Sequence, residues 1–529
     1  MHTVDYIIIV AYLVAVAFIG WRVARRTRTG DDLFLAGRSL GARSIGLSLF
    51  ASNISSTTLI GLAGAAYVTG ISVANYEWMA APILVLMAFV FIPLYLRGRV
   101  TTVPEYLERR FSRTLRRYFS GLTIIMSILV DTAGGLYAGA LVLKTFFPEL
   151  ELWSTCAALA VFAGVYTAAG GLKAVVYTDV IQAIVLLAGS VVLTGIVLDK
   201  LDWSWANITA VVPEGHLSLI RPMDDPALPW LGTLIGVPIL GFWYWTTNQY
   251  ITQRVLGARN EDAARKGALL GGALKLLPLF VMVLPGALAI ALFPDLTNGD
   301  QVFPHLVTEL LPVGVTGLIM AGLIAAIMSS VDSTLNSAST LVVHDFVRGT
   351  VSDIDDDAPP TPEEQQRMAR WGRWTTLILM AVAAIWAPLI ADFEGLFAYL
   401  QQAFSIVVPP VVAVFLVGAL WGGATARAGL VTFIVGHAAG VALFALAQLG
   451  HWTIHYTITA GMMTAVSAVV LVSVSLLLPD KVPAAVRRDT VWDRTMARPV
   501  PAPRSLLGDY RFQAALVLVA TTVMLIAFW

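Results

Sequence analysis

The sequence has few charged residues and very little cysteine. Asp, Glu, Lys and Arg make up 13% of its 529 residues, against roughly 25% in soluble domains. With 57% hydrophobic residues and a mean hydropathy of +0.77, this scarcity excludes an ordinary soluble domain and indicates an integral membrane protein. The single cysteine, Cys156, excludes an internal disulfide and a cysteine-held metal cluster. The net charge of zero gives no indication of a nucleic-acid partner.

Apolar runs predict fourteen membrane spans. The first starts near the N-terminus without the basic segment and cleavage site of a signal peptide, so we interpret it as a membrane helix. The predicted spans cover about 4–23, 44–66, 74–97, 118–142, 153–171, 175–199, 228–255, 267–295, 312–346, 370–392, 395–422, 427–449, 455–479 and 508–529.

The distribution of basic residues predicts the orientation. With the N-terminus outside, 30 of the 34 Lys and Arg residues fall on the cytoplasmic side, as the positive-inside rule requires. An even number of spans returns the C-terminus to the outside, and we expect a multi-pass protein of the cell membrane (plasma or inner). We expect a first helix and loop in 1–43, a transport core in 44–422, and C-terminal helices with a cytoplasmic linker in 423–529.

Residues 325–336, A-A-I-M-S-S-V-D-S-T-L-N, place oxygen-bearing side chains inside an apolar run. Ser329, Asp332, Ser333 and Asn336 are spaced as one face of a helix, and Ser330 lies beside that face. A carboxylate in hydrocarbon is costly, and oxygen-only ligands favour a hard cation. The pattern therefore favours an ion site, although hydroxyls can also bond their own backbone or join helices.

Two spans contain features that interrupt helices. Ser52–Thr58 in the second span is polar except for Ile54, and Gly236–Tyr250 in the seventh contains Pro238 and Gly241. Broken helices at matching places in two halves of a chain are typical of transporter binding sites. The hydropathy spacing predicts inverted five-span repeats, about 44–199 and 228–422, each beginning with a broken helix.

Ionisable residues within spans need partners. These are Glu77, Asp131, Asp179 and Lys275. Structural salt bridges can account for some of them, but Glu77 with Lys275 supplies one acceptor and one donor, which suits a polyhydroxy solute. Tyr244 and Trp245 lie inside the interrupted seventh span, where a flat ring can cover a sugar face or close a pathway.

Several motifs resemble the sodium:solute symporter family, specifically its sodium/glucose-type cotransporters. They are A-S-N-I-S (51–55), Y-E-W-M-A-A (76–81), T-V-P-E-Y-L-E-R-R-F (102–111), G-G-L-K-A-V-V-Y-T-D (170–179), N-Q-Y-I-T-Q-R (248–254), L-K-L (274–276), S-S-V-D-S-T-L-N-S-A-S-T-L (329–341) and Y-L-Q-Q (399–402). The resemblance implies an all-α membrane protein with about fourteen helices around inverted five-helix repeats.

The resemblance also implies site residues. The main sodium site would use backbone carbonyls of Ala51, Ile54 and Ala326 with the hydroxyls of Ser329 and Ser330. The sugar site would use Asn53, Glu77, Lys275 and Gln401, with Tyr244 as an aromatic gate and Trp245 beside it. A second sodium site could use Asp179, Asp332 and Ser333. The alternative is one sodium ion, with Asp332 protonated or hydrogen-bonded structurally.

Some positions depart from the sugar-transporting relatives. Thr58, in the substrate region, replaces a longer Gln or His, while Ala80 and Gly241 replace polar sugar contacts of the bacterial galactose carrier. Asp131 matches a polar uncharged position there. The predicted pocket therefore resembles a sugar site at its charged corner but differs at its edges.

We therefore predict a sodium-coupled symporter that imports a neutral, hexose-like sugar by alternating access, functional as a single chain even if it forms a dimer. The alternatives are another solute, such as myo-inositol or another polyol, sialic acid or an amino acid, and a sugar-gated sensor or channel without coupled transport. We find no nucleophile–base pair or metal-ligand motif in the spans, which argues against a membrane enzyme.

Overall fold

The computed structural model describes residues 2–24, 36–167, 172–347, 361–393, 395–480, 482–498 and 505–529. Within these ranges the chain is helical and has no strand. Two isolated β-bridges occur there, one between Leu40 and Ala258 and one between Arg221 and Pro229. The predicted all-α class is confirmed.

Long helices follow one another along the chain. They are α1 Thr3–Ala24, α2 Ala42–Asn53, α3 Ser56–Thr69, α4 Ile71–Arg97, α5 Arg113–Lys144, α6 Leu152–Thr167, α7 Leu172–Lys200, α8 232–247, α9 Gln249–Leu256, α10 Glu261–Leu292, α11 Val315–Val347, α12 Pro362–Trp386, α13 Leu396–Leu420, α14 Ala426–Gln448, α15 Tyr456–Leu477 and α16 Tyr510–Ala527. Shorter helices lie between them at Val103–Arg110, Trp205–Val211, Val302–Leu310 and Ala484–Thr490. Turns of π-helix occur within α4, α5, α8, α10 and α11.

Each of the fourteen predicted spans coincides with one of these helices or with a broken pair. By length and composition, 10 helices of the described residues can cross a membrane, or up to 11 if α2 and α3 form one span. The other predicted spans correspond to α1, α6 and the pair α8–α9. The chain is therefore a multi-pass membrane protein, and the count of fourteen stays a prediction.

The second predicted span breaks between α2 and α3, whose axes differ by 55°. Ile54 leaves the helical conformation with a ψ of 74°, and Ser55 is extended with a ψ of 170°. The Ser55 hydroxyl accepts a hydrogen bond from the N–H of Thr58 at 3.2 Å and so caps the start of α3. The break lies inside the polar stretch that predicted it.

The seventh predicted span is interrupted at Asn248, between α8 and α9. Asn248 has a ψ of 123°, and its side-chain oxygen accepts a hydrogen bond from the N–H of Tyr250 at 3.3 Å. We predicted the interruption from Pro238 and Gly241, but both lie within helical turns. Pro238 occupies the first turn after a π-helical segment, where an absent N–H is tolerated. Broken helices thus begin both predicted repeats.

Glycines let α2 and α10 approach closely. A methyl group added at Gly46 would lie 2.7 Å from the Leu270 side chain, and one at Gly267 would lie 2.7 Å from Ile45. Only a residue without a side chain fits at such distances. The close packing places Asn53, at the end of α2, beside Lys275 of α10.

The first helix is joined to α11 through Asp5. One carboxylate oxygen of Asp5 accepts hydrogen bonds from the N–H groups of Gly314, at 2.7 Å, and Gly317, at 3.0 Å. These N–H groups belong to the unsatisfied donors at the start of a helix. The contact fixes the start of α11, which carries Ser329 and Ser330 farther along.

Candidate functional site

A large cavity lies where the broken helices meet α4, α5 and α13. The space not filled by protein atoms, including the part open to solvent, is about 930 Å³. Its walls include the predicted substrate residues Asn53, Thr58, Glu77, Tyr244, Trp245 and Gln401. Lys275, the remaining one, reaches the wall through its contacts with Asn53 and Glu77.

An ion pair forms the charged corner of this cavity. The ammonium group of Lys275 donates hydrogen bonds to the carboxylate of Glu77 and to the side-chain oxygen of Asn53. Lys275 is 1% exposed and Glu77 is 6% exposed, so each charge depends on the other for stabilisation. Because a carboxylate accepts several hydrogen bonds, Glu77 can still accept one from a hydroxyl of a ligand in the cavity.

Aromatic rings form the adjacent wall. The rings of Tyr244 and Trp245 pack edge to face with centroids 5.0 Å apart, and the Tyr250 hydroxyl donates to that of Tyr244 at 2.7 Å. The ammonium group of Lys275 lies 5.5 Å from the centre of the Trp245 ring, within range of a cation–π interaction. Flat rings beside a charged corner can hold a ring-shaped solute that carries hydroxyl groups.

The opposite wall comes from α4 and α13. Tyr76 and Phe397 pack edge to face with centroids 5.0 Å apart, and the hydroxyls of Tyr76 and Tyr456 form a hydrogen bond of 2.7 Å. Gln401 follows Phe397 by one helical turn and lines the same cavity. This wall therefore combines apolar rings with one amide that can donate and accept.

A smaller cavity, of about 280 Å³ by the same measure, lies between α2 and α11. All five residues predicted for the main sodium site are among its walls. The full lining is Ala51, Ser52, Ile54, Gln182, Tyr250, Ala326, Ser329, Ser330 and Ser333. The structure thus brings together the residues that the family pattern assigned to the ion.

The helix break removes the helical hydrogen bond from two carbonyls at this cavity. In an unbroken helix the N–H of Ser55 would bond to the carbonyl of Ala51, but here it donates to Asn53 at 2.9 Å. The N–H of Thr58, which would bond to Ile54, donates instead to the Ser55 hydroxyl. Ala51 and Ile54 can therefore offer backbone oxygens to a cation, as in other broken transporter helices.

Thr58 stabilises the same helix break through its side chain. Its hydroxyl donates to the backbone carbonyl of Asn53, so this side chain satisfies an oxygen that the break exposes. Thr58 still lines the larger cavity. Its engaged hydroxyl makes it a weaker substrate contact than a free, longer side chain would be.

The facing helix α11 supplies Ala326, Ser329 and Ser330. Ser329 and Ser330 lie three and four positions after Ala326 and so share its face of the helix. Ser329 is 6% exposed. Backbone and hydroxyl oxygens are the ligands that hard cations prefer. In the described part of the chain, no group of three or more His, Cys, Asp or Glu residues could hold a metal ion.

The residues predicted for a second sodium site do not line one cavity. Ser333 lies at the smaller cavity, whereas Asp332 is 2% exposed and lines neither cavity. Asp332 is rotated by roughly 100° around the helix from Ser333, and α2 and α7 pack on the side of Ser333. Asp179 belongs to α7, and its side chain lies outside the described residues.

Sequence reasoning missed residues that join the cavities. Tyr250 and Ser52 line both cavities, as the predicted sodium ligand Ser330 also does, and Gln182 lines the smaller one. Asp131 was noted only as an ionisable residue, and it lines the larger cavity. The position of Tyr250 directly after the interruption at Asn248 was a usable signal, whereas nothing in the sequence brings Gln182 near α2.

Comparisons with known proteins agree with this geometry. The sequence pattern of the sodium:solute symporter family matches residues 33–436. The chain is 35% identical to sodium/glucose cotransporter 4 of Danio rerio over 83% of this chain and 71% of that protein. It is 36% identical to sodium/myo-inositol cotransporter 2 of Oryctolagus cuniculus over 82% and 68%, and 34% identical to the sodium/mannose cotransporter SLC5A10 of Bos taurus over 95% and 91%.

Solved structures show the same fold. A Na+-coupled sialic acid symporter in a substrate-bound outward-open state superposes with a TM-score of 0.74 at 22% identity, covering 90% of this chain and 98% of that one. The nucleobase-cation-symport-1 family transporter Mhp1 superposes with a TM-score of 0.58 at 15% identity, covering 88% and 99%. The chain therefore belongs to the sodium:solute symporter family, whose members are sodium-coupled transporters rather than enzymes.

Proposed function

We propose that this symporter imports a neutral, hexose-like sugar together with sodium. The observation that carries the proposal is the junction of two cavities, one bordered by an ion pair and aromatic rings, the other lined by oxygens. Tyr250, Ser52 and Ser330 belong to both walls. A bound ion and a bound solute would therefore contact the same residues, which is what coupling between them requires.

The chemistry of the larger cavity favours an uncharged polyhydroxy solute. Glu77 offers acceptor oxygens, while Asn53 and Gln401 can donate and accept. A carboxylate substrate would need a cationic partner without a competing anion, and Lys275 is already paired with Glu77. The names of the relatives, which include glucose, myo-inositol and mannose cotransporters, support the same class.

In the proposed cycle, sodium binds between α2 and α11 and completes the substrate cavity. The ion would bind the carbonyls of Ala51, Ile54 and Ala326 and the hydroxyls of Ser329 and Ser330. The sugar then binds at Glu77, and one repeat moves against the other to expose both ligands to the cytoplasm. Entry of one positive charge across 100 mV contributes about 2.3 kcal/mol to uphill transport.

Uptake of a labelled solute panel tests the substrate class. Purified protein in liposomes, with and without an inward sodium gradient, is offered D-glucose, D-galactose, D-mannose, myo-inositol, sialic acid and an amino acid. We expect sodium-dependent uptake of a neutral polyhydroxy solute and none of sialic acid. Preference for myo-inositol over the hexoses would favour the polyol alternative, and sodium-driven uptake of the amino acid or sialic acid alone would contradict the proposal.

The number of sodium ions is tested at Asp332. We propose one ion at the smaller cavity, because Asp332 lies outside its walls. Replacing Asp332 with alanine should then leave the Hill coefficient for sodium near 1, whatever it does to the uptake rate. A coefficient near 2 in the wild type that falls to 1 in Asp332→Ala would establish a second ion that depends on this carboxylate.

We further propose that the protein acts as a single chain in the cell membrane, with both termini outside. The distribution of Lys and Arg supports this orientation. The orientation is tested by placing a tag at each terminus and adding protease to sealed cells. Both tags should be cleaved, and a tag that is protected would contradict the orientation.

A further inference from the structure

Asp131 is an acidic residue at the larger cavity that the proposed transport cycle does not use. It lies in the π-helical turn Ser127–Thr132 of α5 and lines the cavity together with Tyr244, Tyr250 and Thr334. Turns of this kind occur often at functional sites. The turn is held by Thr132, whose hydroxyl donates to the carbonyl of Ser127 at 2.7 Å and contacts the Thr334 hydroxyl at 2.8 Å.

One oxygen of the Asp131 carboxylate lacks a partner. The side chain of Asn248 interacts with this carboxylate, but Oδ2 is buried and has no hydrogen-bond partner. Among the described residues, no lysine or arginine forms an ion pair with Asp131. A buried polar atom without a partner is costly and rare. Because Asp131 belongs to the lining of the larger cavity, a ligand group that reaches this side chain would supply the missing partner.

The charge balance of the cavity indicates what kind of group this is. Glu77 is neutralised by Lys275, whereas Asp131 is the acidic residue of this lining that has no basic partner among the described residues. A sugar hydroxyl can donate a hydrogen bond to Asp131 but cannot neutralise it. An ammonium group does both, and hydrogen bonds between charged groups are roughly twice as strong as neutral ones.

Asp131 is also separate from the ion site. The walls of the smaller cavity come from α2, α7, α9 and α11, and Asp131 is not among them. Tyr250 stands between, since it lines both cavities. The carboxylate is therefore placed to meet the solute rather than the sodium ion of the proposed cycle.

We propose that Asp131 forms a cation subsite in the substrate cavity and that the transporter accepts amino sugars, whose ammonium group binds Oδ2. The inference rests on the proposed sugar import and extends its substrate class from neutral sugars to protonated amino sugars. It makes D-glucosamine, in its protonated form, a better substrate than N-acetyl-D-glucosamine, which has the same ring without the charge. The conservative variant Asp131→Asn keeps the shape and the contact with Asn248 but removes the charge.

The test measures sodium-dependent binding and transport of D-glucose, D-glucosamine and N-acetyl-D-glucosamine by wild type and Asp131→Asn, at a pH where glucosamine is protonated. We expect wild type to bind glucosamine about tenfold more tightly than N-acetylglucosamine. This ratio should fall to near 1 in the variant, and binding of D-glucose by the same variant shows how far the substitution affects the cavity in general. The charge moved per sugar should also be larger by one elementary charge for glucosamine than for glucose.

Other outcomes would overturn the proposal in distinguishable ways. Binding of D-glucose with no preference for glucosamine, or a preference that survives in Asp131→Asn, would reject the cation subsite and leave sugar import standing. Equal losses for all three sugars, with a higher sodium concentration for half-maximal binding, would make Asp131 an ion ligand instead. If none of the three sugars binds, the proposed function fails, and the subsite fails with it.

Discussion

Replacing Ser330 with alanine is expected to raise the sodium concentration for half-maximal uptake by about tenfold or more. Ser330 lines both cavities, so its hydroxyl is the proposed ligand closest to the substrate. Removing one hydrogen-bonding or ligating oxygen from a charged group costs about 1.5–3 kcal/mol, which is a factor of ten or more in affinity. Uptake measured at several sodium concentrations reports this shift directly.

Ser337→Ala is the matched control for this experiment. Ser337 is on the same helix, is 1% exposed, and lines neither cavity. The two variants remove the same group from the same helix, so a general loss of stability would affect both. A sodium dependence that shifts equally in both variants, or in neither, would contradict the placement of the ion at Ser330.

Replacing Lys275 with glutamine is expected to abolish uptake and to destabilise the protein. The change leaves the carboxylate of Glu77 buried without its cation. Breaking a buried pair by removing one partner costs about 3–5 kcal/mol, and the bilayer interior makes an unpaired charge no cheaper. Thermal unfolding in detergent and sugar uptake in liposomes measure the two effects separately.

Two further variants separate the site from the fold. Lys266→Gln, on the same helix, removes a lysine that pairs with Asp262 at a partly exposed position, and should change stability by about 0.5 kcal/mol or less. The double variant Glu77→Gln/Lys275→Gln should recover stability, since neither residue is then charged, but should not recover uptake. If Lys275→Gln alone shows full uptake, the ion pair is not part of the substrate site.

Local sequence signals predicted the parts of the site that depend on one helix. The polar stretch Ser52–Thr58 predicted a break, and a break necessarily leaves carbonyls without helical hydrogen bonds. The serines of α11 stand out because hydroxyls and a carboxylate recur in an otherwise apolar run. The pairing of Glu77 with Lys275 could also be predicted, since opposite charges within membrane spans usually pair with each other.

Features that depend on contacts between distant helices were not predictable in the same way. Helical spacing placed Asp332 and Ser333 on one face, but only the packing of α2 and α7 on α11 decides that Ser333 reaches the cavity and Asp332 does not. The interruption of the seventh span fell at Asn248 rather than at Pro238, because a π-helical turn accommodates the proline. The orientation of Asp131 likewise follows from a π-helical turn, which no periodicity in the sequence indicates.

In the proposed coupling, sodium and sugar enter in one cycle at two adjoining cavities. Its most direct test is the simultaneous uptake of labelled sodium and labelled D-glucose by liposomes that contain the purified protein and start with no gradient of sugar. An inward sodium gradient should drive the sugar transiently above its external concentration, at a fixed ratio of sodium to sugar, and Ser330→Ala should reduce both fluxes together. Sugar that only equilibrates, at the same rate whether sodium or choline is outside, would contradict the account.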